Sequence, residues 1–183
     1  MRLTRDEMRG KAQTVLGLVD PAELGPTLMH EHLIWNITHP DKRQAVSGGP
    51  DHGQYWNLLN SHVADIRNTT QKDRDVAARA TQEMVDAGGK TVVELTIGGL
   101  EPDPEGLAQV ARQTGAHIVM GCGHYVHSYQ DPANHDRSID SFAKEMIDQV
   151  QQGAWGTAVR ARIVGEIGCE WPWTDLEKCV LAG

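Results

Sequence analysis

The stretch Thr27-Leu28-Met29-His30-Glu31-His32-Leu33 decides which fold the chain predicts. Its apolar first half follows the turn-like segment Glu23-Leu24-Gly25-Pro26, so it predicts a buried strand that begins at a loop. Because side chains alternate between the two faces of a strand, His30 and His32 point the same way and lie within reach of one metal ion. The pair is at the carboxyl end of this strand, which is where barrels of alternating strands and helices carry their reactive groups.

The histidine pair alone leaves several interpretations open. Two histidines at positions i and i+2 can be ordinary polar residues of a half-exposed strand. The cupin metal site also uses His-x-His in a strand, but there a glutamate follows about four residues on, where this chain has Asn36 and Ile37. A metal site of the barrel type needs a carboxylate from elsewhere in the chain, and that carboxylate decides between the interpretations.

Composition limits the class of protein. The 183 residues include 17 Lys and Arg against 25 Asp and Glu, which gives a net charge of -8, and 39% are hydrophobic. We expect one domain, 1–183, with enough apolar residues for a core. The acidic balance disfavours nucleic acid and anionic membranes as partners. There is no apolar region typical of a signal peptide and no apolar stretch of about 20 residues, so we expect a cytoplasmic protein.

The three cysteines do not form a recognisable framework. Cys122, Cys169 and Cys179 are an odd number without C-x-x-C spacing, which argues against disulfides and against a zinc ribbon. We expect each of them to be a small buried apolar residue.

Helix and strand patterns alternate along the rest of the chain. Predicted helices run from Asp73 to Gly88, from Asp103 to Gly115, from Ser138 to Gly153, and from Thr174 onward. Predicted strands cover residues 14–19 (a strand or hairpin), 27–33, 91–96, 117–121 and 162–168. Residues 35–70 form a long polar loop, and loops of this length are usually functional or carry a short helix.

This order predicts an α/β fold with a parallel sheet and helices outside it. The strand and helix pattern occurs four times from residue 27 on, which is half of a TIM (β/α)8 barrel. A complete barrel usually needs about 250 residues. We therefore infer that the chain is the N-terminal part of a longer protein, or a truncated product.

Glu166 is the candidate carboxylate for the histidine pair. It lies toward the end of the predicted strand at residues 162–168, where burying a carboxylate is costly unless a cation or hydrogen bonds compensate its charge. A metal ion would be such a cation. Pairing with a nearby arginine, Arg160 or Arg162, is the alternative.

Five segments of the chain together resemble a known family. They are Met29-His30-Glu31-His32-Leu33, Val92-Val93-Glu94-Leu95-Thr96, Thr114-Gly115 with Met120-Gly121-Cys122-Gly123-His124-Tyr125, Gly165-Glu166-Ile167-Gly168, and Glu177. In this order and at roughly this spacing they resemble the phosphotriesterase family of the amidohydrolase superfamily. The resemblance runs from about Gly10 to the last residue, and the combination is far more specific than any one segment.

The resemblance implies a TIM barrel with two divalent metal ions, usually zinc, at its carboxyl-terminal mouth. His30 and His32 would bind the more buried ion. Glu166 would bridge both ions, as in the phosphotriesterase-related branch, because its strand has no lysine that could be carbamylated.

The resemblance also implies hydrolysis of a small-molecule substrate. A hydroxide activated by the two metals would attack an ester, lactone, amide or phosphotriester. In the family an aspartate from strand eight handles the proton, and two further histidine ligands come from strands five and six. These residues would lie beyond residue 183, so we expect no catalytic acid or base in this chain.

Two aromatic residues are candidates for the substrate pocket. Tyr125 resembles the aromatic residue at the mouth of lactonase-type relatives, and Trp35 could wall the same pocket; packing is the alternative for both. Where relatives often carry a Gly-Arg-Asp-like turn, this chain has Leu100-Glu101-Pro102-Asp103, without the arginine. The other histidines without spacing partners are expected at the surface or in ordinary hydrogen bonds; they are His39, His52, His62, His117, His127 and His135.

A second hypothesis is not catalytic. The chain could be a truncated half-barrel or an association module, because the exposed edges of its first and fourth strands would favour pairing with another chain. A homo-oligomer is one form that this association could take.

Overall fold

The computed structural model describes residues 4–40 and 68–183. Its helices and strands in chain order are α1 (Arg5–Met8), β1 (Ala12–Thr14), β2 (Gly17–Val19), β3 (Thr27–Glu31), β4 (Trp35–Asn36), β5 (Thr70–Gln71), α2 (Arg74–Asp86), β6 (Thr91–Glu94), α3 (Pro104–Thr114), β7 (His117–Cys122), α4 (Ile139–Gln151), β8 (Ile163–Val164) and α5 (Asp175–Ala182). β1 and β2 pair antiparallel, which is the predicted hairpin. The predicted alternation of strands and helices is confirmed within the described ranges.

Four parallel strands form the main sheet, in the order β3-β6-β7-β8. The register places Thr27 opposite Thr91 and Val92 opposite Ile118. A helix lies between consecutive strands of this sheet, so spatial order follows chain order as it does in a barrel of βα units. The α/β fold predicted from the sequence, half of a TIM barrel, is confirmed.

The helices begin where the sequence supplies capping groups. Asp73 and Asp103 accept hydrogen bonds from backbone N–H groups in the first turns of α2 and α3. Thr174 and Glu177 form a capping box at the start of α5. Gly115 ends α3 with a φ of +72°, a conformation that favours glycine. None of the helices within the described ranges is long and apolar enough to cross a bilayer.

The apolar core lies on both faces of the sheet. Where the helices cover the sheet, the fully buried residues include Leu107, Val110, Ile118, Met120 and Phe142. A second, smaller cluster combines Val93, Leu95 and Val119 with the half-buried Ile163. Since successive residues of a strand face opposite sides, Ile118 and Val119 belong to different faces of β7. The central strands therefore have packed side chains on both faces.

The prediction for residues 27–33 is confirmed in position but wrong in burial. β3 is present, yet Leu28 and Met29 are 44% and 65% exposed. β3 pairs with β6 on one side and, in the part of the chain that the structure describes, with no strand on its other side. A strand at the edge of a sheet lacks one neighbour, so its apolar side chains remain in contact with solvent.

The prediction that all three cysteines are buried is correct only in part. Cys122 is buried in β7, and Cys179, on α5, is half-buried against the core. Cys169 is exposed, because it lies in the irregular segment after β8 rather than on a face that packs. All three thiols are free, as the spacing predicted.

The long loop predicted between β3 and α2 has paired ends. β4 and β5 run antiparallel, with Trp35 opposite Gln71. The expectation of a functional loop or a short helix falls mostly on residues 41–67, which lie outside the described residues. His52 and His62 lie there as well, so the predictions for them stay predictions.

Candidate metal centre

His30 and His32 project from the carboxyl end of β3 to the same side. Their rings lie edge to face, with centroids 5.4 Å apart. The side chain of His30 is 53% exposed and that of His32 is 31% exposed. The common direction expected from strand geometry is therefore present, and both rings remain accessible.

Glu166 approaches this pair from the opposite edge of the sheet. Its Oε2 lies 3.1 Å from His30 Nε2, and its Oε1 lies 3.6 Å from His32 Nε2. Two strands separate β3 from β8, so in a flat sheet these edges would be about 14 Å apart. The curvature of the half-barrel and the length of the side chains bring the three groups together.

Two glycines shape the turn that carries Glu166. Gly165 has a φ of +135°, which an L side chain rarely adopts. A Cβ atom at Gly121 would lie 2.2 Å from the carbonyl oxygen of Gly165, so only a glycine lets β7 approach this turn so closely. Gly121 and Gly165 thus set the backbone geometry of the turn that positions the carboxylate.

The donor set is of the kind that binds a divalent metal ion. One ligand atom from each of His30, His32 and Glu166 lies within 4.8 Å of the others. Imidazole nitrogen and carboxylate oxygen are common ligands of zinc and related ions. The alternative pairing of Glu166 with Arg160 or Arg162 is not seen among the described residues, where the ion pairs of Glu166 are with His30 and His32.

The electrostatics around His32 favour its neutral ring. Burial lowers its pKa, and the neighbouring His30 lowers it further, while Glu166 and Glu31 act in the opposite direction. The net result is a pKa below the ordinary value of 6.5. A neutral imidazole has the free lone pair that a metal ligand needs, so this environment suits metal binding.

Glu94 and Thr96 form a buried network behind His32 that the sequence analysis did not assign. The Glu94 side chain is inaccessible to solvent and accepts hydrogen bonds from Leu33 N–H at 3.2 Å and from Thr96 N–H at 3.1 Å. Burial raises the pKa of Glu94 to about 7, although hydrogen bonds from Thr96, Leu33 and Ile34 counteract part of that effect. The signal that could have revealed it is a single carboxylate within an apolar strand, which needs dedicated partners.

A cavity of about 400 Å³ adjoins two of the candidate ligands, His32 and Glu166. Trp35 and Tyr125, the predicted pocket residues, both line it; the remaining lining residues are Glu31, His32, Ile37, Leu100 and Glu166. Burial raises the pKa of Tyr125, and the charge of Glu166 adds to this effect. The structure therefore brings both aromatic residues to one cavity beside the carboxylate, and their contact with a substrate stays a prediction.

The other described histidines lie apart from this centre. His127 and His135 stack with ring centroids 4.2 Å apart, and His39 packs against Tyr129. His124 is buried, with Nδ1 2.9 Å from Gln130 Oε1. Over residues 4–40 and 68–183, His30, His32 and Glu166 are the one group of three or more such side chains that could hold a metal ion.

Sequence comparison relates the chain to a protein family and to an individual hydrolase. The model of the phosphotriesterase family matches residues 10–183. The chain is 34% identical to the N-acetyltaurine hydrolase of Mus musculus over 181 residues, and this alignment covers 95% of the chain and 52% of the relative. The chain thus spans about half the length of that hydrolase.

Two solved structures have a similar fold. A resiniferatoxin-binding protein from Rhodobacter sphaeroides is 28% identical with a TM-score of 0.85, covering 94% of this chain and 50% of that chain. The phosphotriesterase homology protein from Escherichia coli, complexed with phosphate in its active site, is 25% identical with a TM-score of 0.65, covering 86% and 47%. Because the family match extends over most of the sequence, the chain belongs to the phosphotriesterase family, as its motifs predicted.

Proposed function

We propose that this chain supplies the first three ligands of the metal centre of a hydrolase. The observation that supports the proposal is the convergence of His30, His32 and Glu166, whose ligand atoms lie within 4.8 Å of one another. The histidines belong to one edge of the sheet and the carboxylate to the other edge. The curvature of the sheet brings these groups together, and their donor atoms suit a shared metal ion.

The proposed cofactor is a pair of divalent metal ions, with zinc as the first candidate. His30 and His32 would hold one ion together with Glu166, whose carboxylate faces both imidazoles. Its role as a bridge to a second ion is the one that the family resemblance implies. When bound, such ions lower the pKa of water and polarise the oxygen of a substrate. The further ligands and the acid or base of the reaction are expected from strands beyond this half-barrel.

The proposed substrate is a small molecule with a hydrolysable ester, lactone, amide or phosphotriester bond. Trp35, Tyr125 and Leu100 give the cavity beside Glu166 an apolar wall. Such a wall packs against the carbon skeleton of a substrate and excludes water from the bond that reacts. Because one relative is an N-acetyltaurine hydrolase, N-acyl amides of small acids are the first class to test.

Metal content is the direct test of this proposal. The wild-type chain, His30→Ala and Glu166→Ala are each saturated with zinc, freed of excess ion, and measured by elemental analysis. We expect bound zinc in the wild type and a loss of it in both variants, because each substitution removes one of three ligands. His117→Ala is the matched control, since this histidine lies at the opposite end of a strand, and it should retain zinc.

The result that would overturn the proposal is unchanged zinc in both ligand variants. If the wild type binds zinc and the variants do not, the substrate classes can be screened in a protein that contains this chain and the remaining strands. Activity with N-acyl amides, and none with esters, lactones or phosphotriesters, would narrow the proposed substrate to amides.

The second candidate function is association without catalysis. Leu28 and Met29 on β3 and Val164 on β8 are exposed apolar residues on the two edge strands. Unpaired edges with apolar side chains favour pairing with another chain. Sedimentation of the chain over a concentration series distinguishes the candidates, since a stable oligomer that binds no zinc would favour association.

A further inference from the structure

A hydroxyl and a buried carboxylate continue the hydrogen-bonded arrangement on the far side of His32. His32 Nδ1 lies 3.1 Å from Thr96 Oγ1, and the Thr96 hydroxyl donates to Glu94 Oε1. We propose that Glu94 and Thr96 are positioning residues that hold His32 as the tautomer protonated at Nδ1, with its Nε2 lone pair directed to the metal site. The metal in this inference rests on the proposed function, whereas the tautomer can be observed without any metal.

Proton counting leads to this tautomer. A threonine hydroxyl has one proton and can donate it to one partner. Both oxygens of Glu94 already accept a backbone N–H, from Leu33 at 3.2 Å and from Thr96 at 3.1 Å, so each oxygen acts as an acceptor. If the Thr96 proton goes to Glu94, the Thr96 oxygen offers only lone pairs to His32. Nδ1 must then carry the proton, and Nε2 of the neutral ring is free to bind a metal.

The hydrogen bonds of Glu94 and Thr96 also fix the position of the His32 ring. Glu94 and Thr96 are 0% and 1% exposed, so solvent does not compete for their hydrogen bonds. Leu33, which donates to Glu94, directly follows His32 in the chain. Glu94 therefore restrains the backbone beside His32 directly and the imidazole ring through Thr96. Such partners of a metal-binding histidine typically change metal affinity by 10–100-fold when they are removed.

Two substitutions of Thr96 test the effect of its hydroxyl group separately from the effect of the side-chain shape. Thr96→Val removes the hydroxyl and keeps the branched side chain, and Thr96→Ser keeps the hydroxyl. The tautomer of His32 is read from its ring 15N and 13C NMR shifts in the metal-free chain at about pH 8, where an imidazole is neutral. The His32→Gln spectrum identifies the signal. Zinc affinity is measured for the same proteins, and thermal unfolding checks that each is folded.

The expected result is an Nδ1–H tautomer in the wild type and in Thr96→Ser, and a mixture in Thr96→Val. Zinc affinity should fall about tenfold in Thr96→Val and stay near the wild-type value in Thr96→Ser. A wild-type ring protonated at Nε2 would overturn the inference, even if Thr96→Val fails to fold. Equal tautomer populations in both Thr96 variants would also overturn it. If the wild type binds no zinc, the proposed function fails, while the NMR result still decides the tautomer.

Discussion

The central and the edge strands of the sheet differ in how deeply their side chains are buried. Every residue of β6 is buried, and so is every residue of β7 after His117. At the edges, Met29 on β3 is 65% exposed and Val164 on β8 is 58% exposed. The candidate ligands stand at these edges, whereas the network behind His32 is anchored in the centre.

Glu94 and Glu166 illustrate this difference between the centre and the edges of the sheet. Glu94, at the end of β6, is fully buried and has its hydrogen bonds from fixed neighbours. Glu166, after β8, is 28% exposed and faces two imidazoles. The same side chain therefore has a structural environment in the centre and an open, ligand-like environment at the edge. In this sheet the partners of a carboxylate, more than its burial, distinguish the candidate ligand Glu166 from the buried Glu94.

The largest expected effect distinguishes these two glutamates by their contribution to stability. Glu94→Ala leaves the N–H groups of Leu33 and Thr96 buried without an acceptor, so we expect the free energy of unfolding to fall by about 3 kcal/mol. Glu166→Ala removes no such acceptor and should change it by less than about 1 kcal/mol in metal-free protein. Urea unfolding of both variants measures the difference, and equal losses would contradict the comparison.

The parts of the fold that could be predicted depend on neighbours in sequence. The start of α3 follows from Asp103 and Pro104, which act on their own first turn. Burial of β3 could not be predicted, because it depends on which strands lie beside it in space. The contact of Glu94 with Leu33 could not be predicted for the same reason, since Leu33 is 61 residues away in the chain.

The candidate site likewise combines features that follow from local sequence with features that depend on contacts in space. The common direction of His30 and His32 follows from the alternation of a single strand. The approach of Glu166 to within 3.1 Å depends on the curvature of the whole sheet, and residue patterns do not encode that distance directly. The family resemblance supplied this pairing as an expectation. The tautomer-setting contact of Thr96 was not available from either source.

An intermediate effect on stability is expected when an apolar residue is replaced at the centre of the sheet, compared with one at its edge. Val93 is 4% exposed within the small apolar cluster of the central strands, and Met29 is 65% exposed at the edge. Val93→Thr places a hydroxyl among apolar side chains, so we expect a loss of about 2 kcal/mol in the free energy of unfolding. Met29→Thr should change it by less than about 0.5 kcal/mol. Unfolding by urea measures both values, and a larger loss for Met29→Thr would show that β3 is covered in solution.

The smallest expected effect concerns a third carboxylate, Glu145 on α4. The pH dependence of stability that we expect from this helix residue has the opposite sign to that expected from Glu94 at the centre of the sheet. Burial acts to raise the pKa of Glu145, but the contacts of its carboxylate with His124 and Arg137 outweigh burial and lower the pKa below the ordinary 4.5. A carboxylate with a lowered pKa adds stability above its unfolded-state pKa and loses that contribution as the pH falls through the folded value. We expect Glu145→Gln to reduce the loss of stability below pH 4.5 by about 1 kcal/mol or less, because the pair is partly exposed.

Glu94 changes the stability with pH in the opposite direction to Glu145. Its pKa is raised to about 7, so between pH 4.5 and 7 the folded state keeps a proton that the unfolded state releases, and stability falls as the pH rises. Stability measured against pH therefore separates the two glutamates by sign, and Glu105→Gln, at an exposed position of α3, is the control that should leave both slopes unchanged. A Glu145→Gln variant that keeps the full wild-type slope below pH 4.5 would mean that the His124 and Arg137 contacts do not hold this carboxylate in its charged form.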